Sequence, residues 1–174
     1  RKKTISFKST LNDGTVFTNE SKFTLKEKAQ SINQLNRVAQ QTPLAVSPLT
    51  EITSSLTYQG TNETAAHAGK GEFQIFYDNE AGLLDKVIIV CDGFDPADGR
   101  DTGSIYNLLN YGTPTQNLGD NVRNLGYDVV VLNFPIYTRP DGITNIDGGV
   151  DYIQRNARVM IELINYINAN KVGN

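Results

Sequence analysis

The sequence predicts an α/β fold, on three observations. KVIIVCD (86–92) and YDVVVLNFP (127–135) are apolar runs without alternation, the pattern of strands covered on both faces in a parallel sheet. TGSIYNLLNYG and QNLGDNVRNLG lie between them and read as one or two short helical segments. A longer helical repeat, DYIQRNARVMIELINYINAN, follows from residue 151. Strand, helix, strand, helix is the order expected of crossover units around one sheet. The 174 residues suit one domain behind a small N-terminal extension, with the division near residue 50 (1–50 and 51–174).

In chain order, Ile5, Phe7, Val16 and Phe17 flank Asn12-Asp13-Gly14, which predicts a hairpin. Thr24-Leu25-Lys26-Glu27 matches a capping box, in which the Thr hydroxyl and the Glu carboxylate satisfy free amides at a helix start. Leu25, Ala29, Ile32, Leu35 and Val38 continue at helical spacing, and Pro43 limits the helix. QTPLAVSPLTE reads as a linker by its Pro, Ser and Thr content. SSLTYQG (54–60) and GEFQIFYD (71–78) come next as two strands, the second burying Phe73, Ile75 and Tyr77 on one face. Leu118, Val122 and Leu125 form one face of a short helix that Gly126 stops in the left-handed conformation. The last helix is expected to bury Ile153, Ala157, Met160 or Ile161, Ile164 and Ile167.

Hydrophobic residues make up 39% and charged residues 20%, as in soluble globular proteins. A net charge of -3 argues against nucleic acid as a partner, since phosphates call for a basic face. The basic start, RKKTISFK, reads as solvated tail. One cysteine, Cys91, rules out an intrachain disulfide and a CxxC site; inside its apolar run it is expected to be a small buried hydrophobe. No apolar run approaches the ~20 residues of a transmembrane span. The first residue is Arg, so any signal peptide is expected to lie outside the chain.

Four aspartates, Asp92, Asp95, Asp98 and Asp101, come after the first apolar run. A phosphotransferase of the haloacid dehalogenase type needs a second carboxylate two positions after the first, and Gly93 and Phe94 break that spacing between Asp92 and Asp95. Asp92, Asp95 and Asp98 could serve calcium, which takes several oxygens from a flexible loop, although an EF-hand register is absent. The plain alternative is that they cap the next helix and solvate a loop. A third reading concerns the backbone. In α/β-hydrolases the third strand ends in a glycine-containing turn whose amide stabilises the oxyanion of an acyl-transfer intermediate.

IIVCDGFDP is similar to the third strand and turn of lipase-like α/β-hydrolases, whose usual form is an apolar run followed by His-Gly-Phe. GKGEFQIFYD resembles the preceding strand, GYDVVVLNFP the fourth, and DYIQRNARVMIELINYIN the helix that leads to the nucleophile strand. The GFDP and DYIQRNA segments in particular resemble a group of bacterial secreted lipase- or esterase-like proteins. The resemblance implies the N-terminal half of an α/β-hydrolase-type sheet, hairpin strands and then β-α-β-α. It also implies an acyl-ester substrate, a secreted or cell-envelope setting, and an oxyanion-hole role for the backbone of Gly93 and Phe94. Asp92 stands where the family commonly has His. A carboxylate there opposes a developing oxyanion, so Asp92 and Asp95 must turn away, toward helix amides or Arg100.

The family's nucleophile sits on a G-x-S-x-G elbow after the fifth strand, with the acid and then the histidine beyond it. None of Ser6, Ser9, Ser21, Ser31, Ser47, Ser54, Ser55 and Ser104 has glycines two positions to either side. The sole histidine, His67, precedes the third strand and reads as a loop residue. The resemblance therefore implies an N-terminal portion without nucleophile or base, inactive by itself. The strand at 87–91 is then left as an apolar edge that needs the missing C-terminal half or a second chain. The alternative function is a non-catalytic α/β binding or cell-surface module, with a calcium-binding Asp loop and no other cofactor.

Other residues have plain readings. Asn62-Glu63-Thr64 fits a glycosylation acceptor. Tyr152, Arg155 and Asn156 could line a site but more simply bind loop carbonyls, and Asp151 suits a helix N-cap. TRPDGITNIDGG (138–149) is long enough for a substrate-side flap or an ordinary surface loop.

Overall fold

The computed structural model describes residues 2–10, 16–24 and 44–173, in two compact units, Arg1–Gln41 and Thr42–Asn174. In the first unit β1 (Lys2–Thr10) pairs antiparallel with β2 (Val16–Thr24), Lys2 opposite Thr24 and Thr10 opposite Val16. These are the two strands of the expected hairpin. Its turn at 12–14 and the helix expected after Thr24 lie outside the described residues.

The second unit runs β3 (Thr50–Tyr58), β4 (His67–Phe76), β5 (Val87–Cys91), α1 (Thr102–Asn107), β6 (Asn110–Tyr111), β7 (Gln116–Asn117) and α2 (Leu118–Asn124). It continues with β8 (Asp128–Asn133), β9 (Ile136–Thr138), β10 (Asn145–Asp147), a 3-10 turn at Gly148–Val150, and α3 (Ile153–Asn170). Four strands form a mixed sheet in the order β3-β4-β8-β5, β4 antiparallel to both its neighbours and β5 parallel to β8. The fold is therefore α/β. Residues 44–49 run beside β4, Ser47 N donating to Ile75 O at 2.8 Å and Tyr77 N to Ala45 O at 2.9 Å. Among the described residues no helix is long and apolar enough to cross a membrane.

β8 is the centre of both cores. Every residue in it is buried, as its unbroken apolar run predicts. Strand alternation sends Val130 and Leu132 to one face, where Phe73, Ile75, Leu84, Val159 and Leu163 meet them. Val129 and Val131 go to the other, against Phe76, Ile105 and Tyr106. The sheet is thus covered by α3 on one side and by α1 on the other.

β5 has an equally apolar sequence but is not enclosed. Among the described residues it occupies the sheet edge with β8 as its one neighbour, Ile88 is 39% exposed and Cys91 is exposed. Cys91 is accordingly not the buried hydrophobe its sequence context suggests. Partial desolvation and then the Asp92 carboxylate push its thiol up to about 11, far from the reactive range of thiolates.

Two helices bury faces other than those expected. In α2 the buried residues are Gly119 and Arg123, while Leu118 and Leu125 are exposed. The Tyr106 ring lies on Gly119, where a Cβ would come within 2.6 Å of it. Arg123 turns inward because Nε donates to Tyr77 O at 2.7 Å and Nη2 to Ala45 O at 3.3 Å. Gly126 does terminate this segment left-handed, at φ +85. In α3 the buried stripe is Arg155, Val159, Leu163 and Ile167; Ile167 is buried as expected and Met160 packs against the core, whereas Ile153, Ala157, Ile161 and Ile164 are exposed. An arginine heads that stripe because its ionic partners, Glu63 and Asp151, have buried side chains themselves. The stretch 138–149 is an ordered hairpin of β9 and β10 rather than an open flap, its turn fixed by Asp141 accepting from Ile143 N and Thr144 N.

Candidate functional site

β5 delivers the aspartate loop to the end of the sheet. Asp92 N still donates to Leu132 O at 2.9 Å, as a continuation of the ladder. The chain then turns at Gly93 and Phe94, both exposed, and Phe94 is 76% exposed. A Cβ placed on Gly93 would meet nothing within 4 Å, so the space over this turn is open. The Phe94 N–H has no protein acceptor among the described residues.

The carboxylates on either side of this turn are drawn to one cation. Arg100 Nη2 lies 3.1 Å from Asp92 Oδ1 and 3.6 Å from Asp95 Oδ1, and donates to Phe94 O at 3.0 Å. Arg100 N donates to Asp95 Oδ2 at 2.9 Å. The side chain of Asp92 is 3% exposed, and burial raises its pKa against the opposing pull of the Gly93 N–H and Arg100. Asp92 Oδ2 and Arg100 Nε are buried without a hydrogen-bond partner.

The rest of the loop is pinned to the sheet end. Asp95 N donates to Gly149 O at 3.3 Å, and Ala97 N to Asp147 Oδ2 at 2.6 Å. Asp98 accepts from Asn133 Nδ2 and Ile136 N, both at 3.3 Å. These bonds hold Ala97 and Asp98 at φ 66 and 50, a left-handed pair that side chains avoid without such support. Asp101 caps α1 by accepting from Ser104 N at 2.7 Å. Asp92, Asp95 and Asp98 thus each bind protein groups and do not converge as one ligand set. Among the described residues, the group of three carboxylates whose oxygens lie within 4.8 Å of one another is Asp78, Asp85 and Asp128. There the buried Asp128 accepts from Asp78 N at 3.0 Å and Asp85 N at 2.8 Å, which fastens the approach to β5.

A second polar centre lies where β3, β4 and α3 meet. Arg155 is fully buried and its guanidinium pairs with Glu63 and Asp151, with Tyr58 O accepting at 3.1 Å. Glu63 also binds Arg139, Gly60 N at 2.7 Å and His67 Nε2 at 3.1 Å. Burial alone would raise the Glu63 pKa; Gly60, His67 and Arg155 reverse that and bring it to about 2. Tyr137 OH donates to Asp151 Oδ2 at 3.1 Å, and Asn156 Nδ2 to Gly148 O at 2.8 Å.

This centre corrects two sequence-based expectations. His67 is not a loop residue: it opens β4, is buried, and is engaged by Glu63. Asp151 is not the cap of α3, whose N-cap is Tyr152 without a side-chain bond; it is the counter-ion of Arg155. No serine among the described residues completes a dyad with His67. Ser54 Oγ, on the neighbouring strand, is spent on Leu56 O at 2.8 Å and Gly69 N at 2.9 Å. Glu63 carries no mark in the sequence as a member of this centre; the spacing of Asp151 and Arg155, one helical turn apart, is the one local signal of it. Set against known proteins, the chain matches no family model, no curated protein and no solved structure.

Proposed function

We propose that this chain is the N-terminal portion of a serine hydrolase of lipase or esterase type. It supplies an oxyanion-hole turn at Gly93 and Phe94, and the nucleophile and base come from further polypeptide. The observation that carries the reading is the turn itself: an exposed, unbonded Phe94 N–H at the end of a parallel strand, with both flanking carboxylates drawn onto Arg100. Such an amide is what an acyl-transfer intermediate needs from a protein.

The sheet supports the same reading. β3, β4, β5 and β8 correspond to the first four strands of the resembled family, in which the third lies between the fourth and the fifth. Here the strand in the third place, β5, lies beside that in the fourth, β8, and no described strand pairs with its other side. Asp128 N bonds Lys86 O and Asp92 N bonds Leu132 O, so the backbone groups of Val87, Ile89 and Cys91 alternate to the open side. Beside them Val87, Ile89, Ile164 and Ile167 line a groove of about 250 Å³. A nucleophile-bearing strand laid there would satisfy the edge and cover the apolar side chains. The isolated chain, lacking it, is expected to self-associate along β5, and a clean monomer by light scattering at micromolar concentration counts against this.

Without a nucleophile the turn has nothing to activate. The 174-residue chain should release no p-nitrophenol from p-nitrophenyl esters above background. A fluorophosphonate probe should label a protein that carries the proposed further polypeptide on a serine outside these residues. Label on Ser54 or Ser104, or none on the longer protein, overturns the proposal.

A further inference from the structure

The loop contains a charge arrangement that the hydrolase reading does not by itself require. We infer that Arg100 is a positioning residue for the Gly93–Phe94 turn, holding the Phe94–Asp95 peptide that follows it and offsetting one of the two flanking carboxylates so that the Phe94 N–H can receive an anion. The inference deepens the proposed function and rests on that reading of the turn.

The geometry assigns Arg100 both tasks through one nitrogen. Nη2 donates to Phe94 O at 3.0 Å while lying 3.1 Å from Asp92 Oδ1 and 3.6 Å from Asp95 Oδ1. Holding the Phe94 carbonyl fixes one side of the turn, and the loop bonds at Asp95, Ala97 and Asp98 fix the segment after it. The Phe94 N–H has no protein acceptor among the described residues, and the space over the adjacent Gly93 is open. Field matters as much as orientation. Asp92, Asp95 and Arg100 together carry one net negative charge; without Arg100 the two carboxylates flanking the turn carry two, beside the place where an oxyanion would form. Asp92 is the closer and more buried partner, so its charge is the one water screens least. A glutamine at 100 retains donors but no charge.

The test uses the chain as it is and does not need hydrolysis. With ¹⁵N-labelled protein, methylphosphonate is titrated and the Phe94 amide resonance followed. The wild type should show a progressive, saturable downfield shift of that amide. Arg100→Gln should lose most of the shift. Adding Asp92→Asn to Arg100→Gln restores one net negative charge and should restore the shift. This double variant also separates positioning from direct contact: if Arg100 itself bound the anion, Asp92→Asn could not bring the shift back. An unresponsive wild-type amide, a normal shift in Arg100→Gln, or no recovery in the double variant overturns the inference. Should Arg100→Gln fail to fold, two variants still decide it: Asp92→Asn alone, which leaves Asp95 and Arg100 neutral together, must shift the amide at lower methylphosphonate than wild type does, and the double variant must respond like wild type; failure of either overturns the inference. Fluorophosphonate labelling of the longer protein decides the hydrolase reading separately.

Discussion

Arg155→Met is expected to destabilise the protein by about 3–5 kcal/mol, the cost of stranding buried charge by deleting one member of its pair. The guanidinium is fully enclosed and shared between Glu63 and Asp151, with Tyr58 O as a further acceptor. The packing of the stem could be replaced by methionine; the charge could not. The two carboxylates would not be left equally exposed to the loss. Glu63 keeps Arg139, His67 and the Gly60 N–H. Asp151 keeps the Tyr137 hydroxyl and the Tyr152 N–H, and no cation. A second substitution therefore discriminates. Asp151→Asn in the Arg155→Met background should recover more stability than Glu63→Gln, because it neutralises the carboxylate with no other cation. Urea denaturation with an unchanged slope would measure this. A loss below about 1 kcal/mol for Arg155→Met, or the reverse order of recovery, would show the cluster to be less buried in effect than its geometry indicates.

The same arginine explains where the sequence was readable and where it was not. Apolar runs identified β5 and β8 as strands, and local chemistry offered an aspartate cap for the next helix, which is Asp101, and the Gly126 stop. Those features depend on residues near one another in the chain. Which face of α3 is buried does not. Hydrophobicity favours the isoleucines at 153, 161 and 164, yet the helix is rotated so that Arg155 reaches Glu63, 92 residues earlier. Nothing near Glu63 marks it as the partner. The environment of β5 was half legible in the same way. An unbroken apolar strand reads as enclosed, and composition cannot distinguish β8, paired on both sides, from β5, paired on one. The site shows the division again. The pairing of Asp92 and Asp95 with Arg100 joins residues close together in the chain. The bonds from Asp98 to Asn133 and Ile136, and from Ala97 to Asp147, depend on strands 35–50 residues away.

Acid should loosen the protein through Glu63 more than through any other single carboxylate described. Its pKa is depressed in the fold to about 2, from an ordinary 4.5. A depressed carboxylate stabilises fully above its unfolded value and loses that contribution as pH falls toward the folded one. The window is therefore from about 4.5 down to about 2, and the contribution at stake is about 3 kcal/mol. Asp92 and Asp128 act in the opposite sense. Burial raises both, so each costs stability when ionised and relieves that cost as acid protonates it. The wild-type profile sums these contributions and understates the part due to Glu63. Comparison with Glu63→Gln isolates it, because glutamine keeps much of the shape and cannot titrate. The stability difference between wild type and Glu63→Gln should be largest near about pH 6 and should shrink by most of that contribution toward about pH 2. The shrinkage should vanish when Arg155→Met is present in both proteins only to the extent that Arg139 and His67 fail to hold the depression; a residual slope would measure their share. A difference that stays constant across the window would mean that Glu63 does not titrate as its surroundings require.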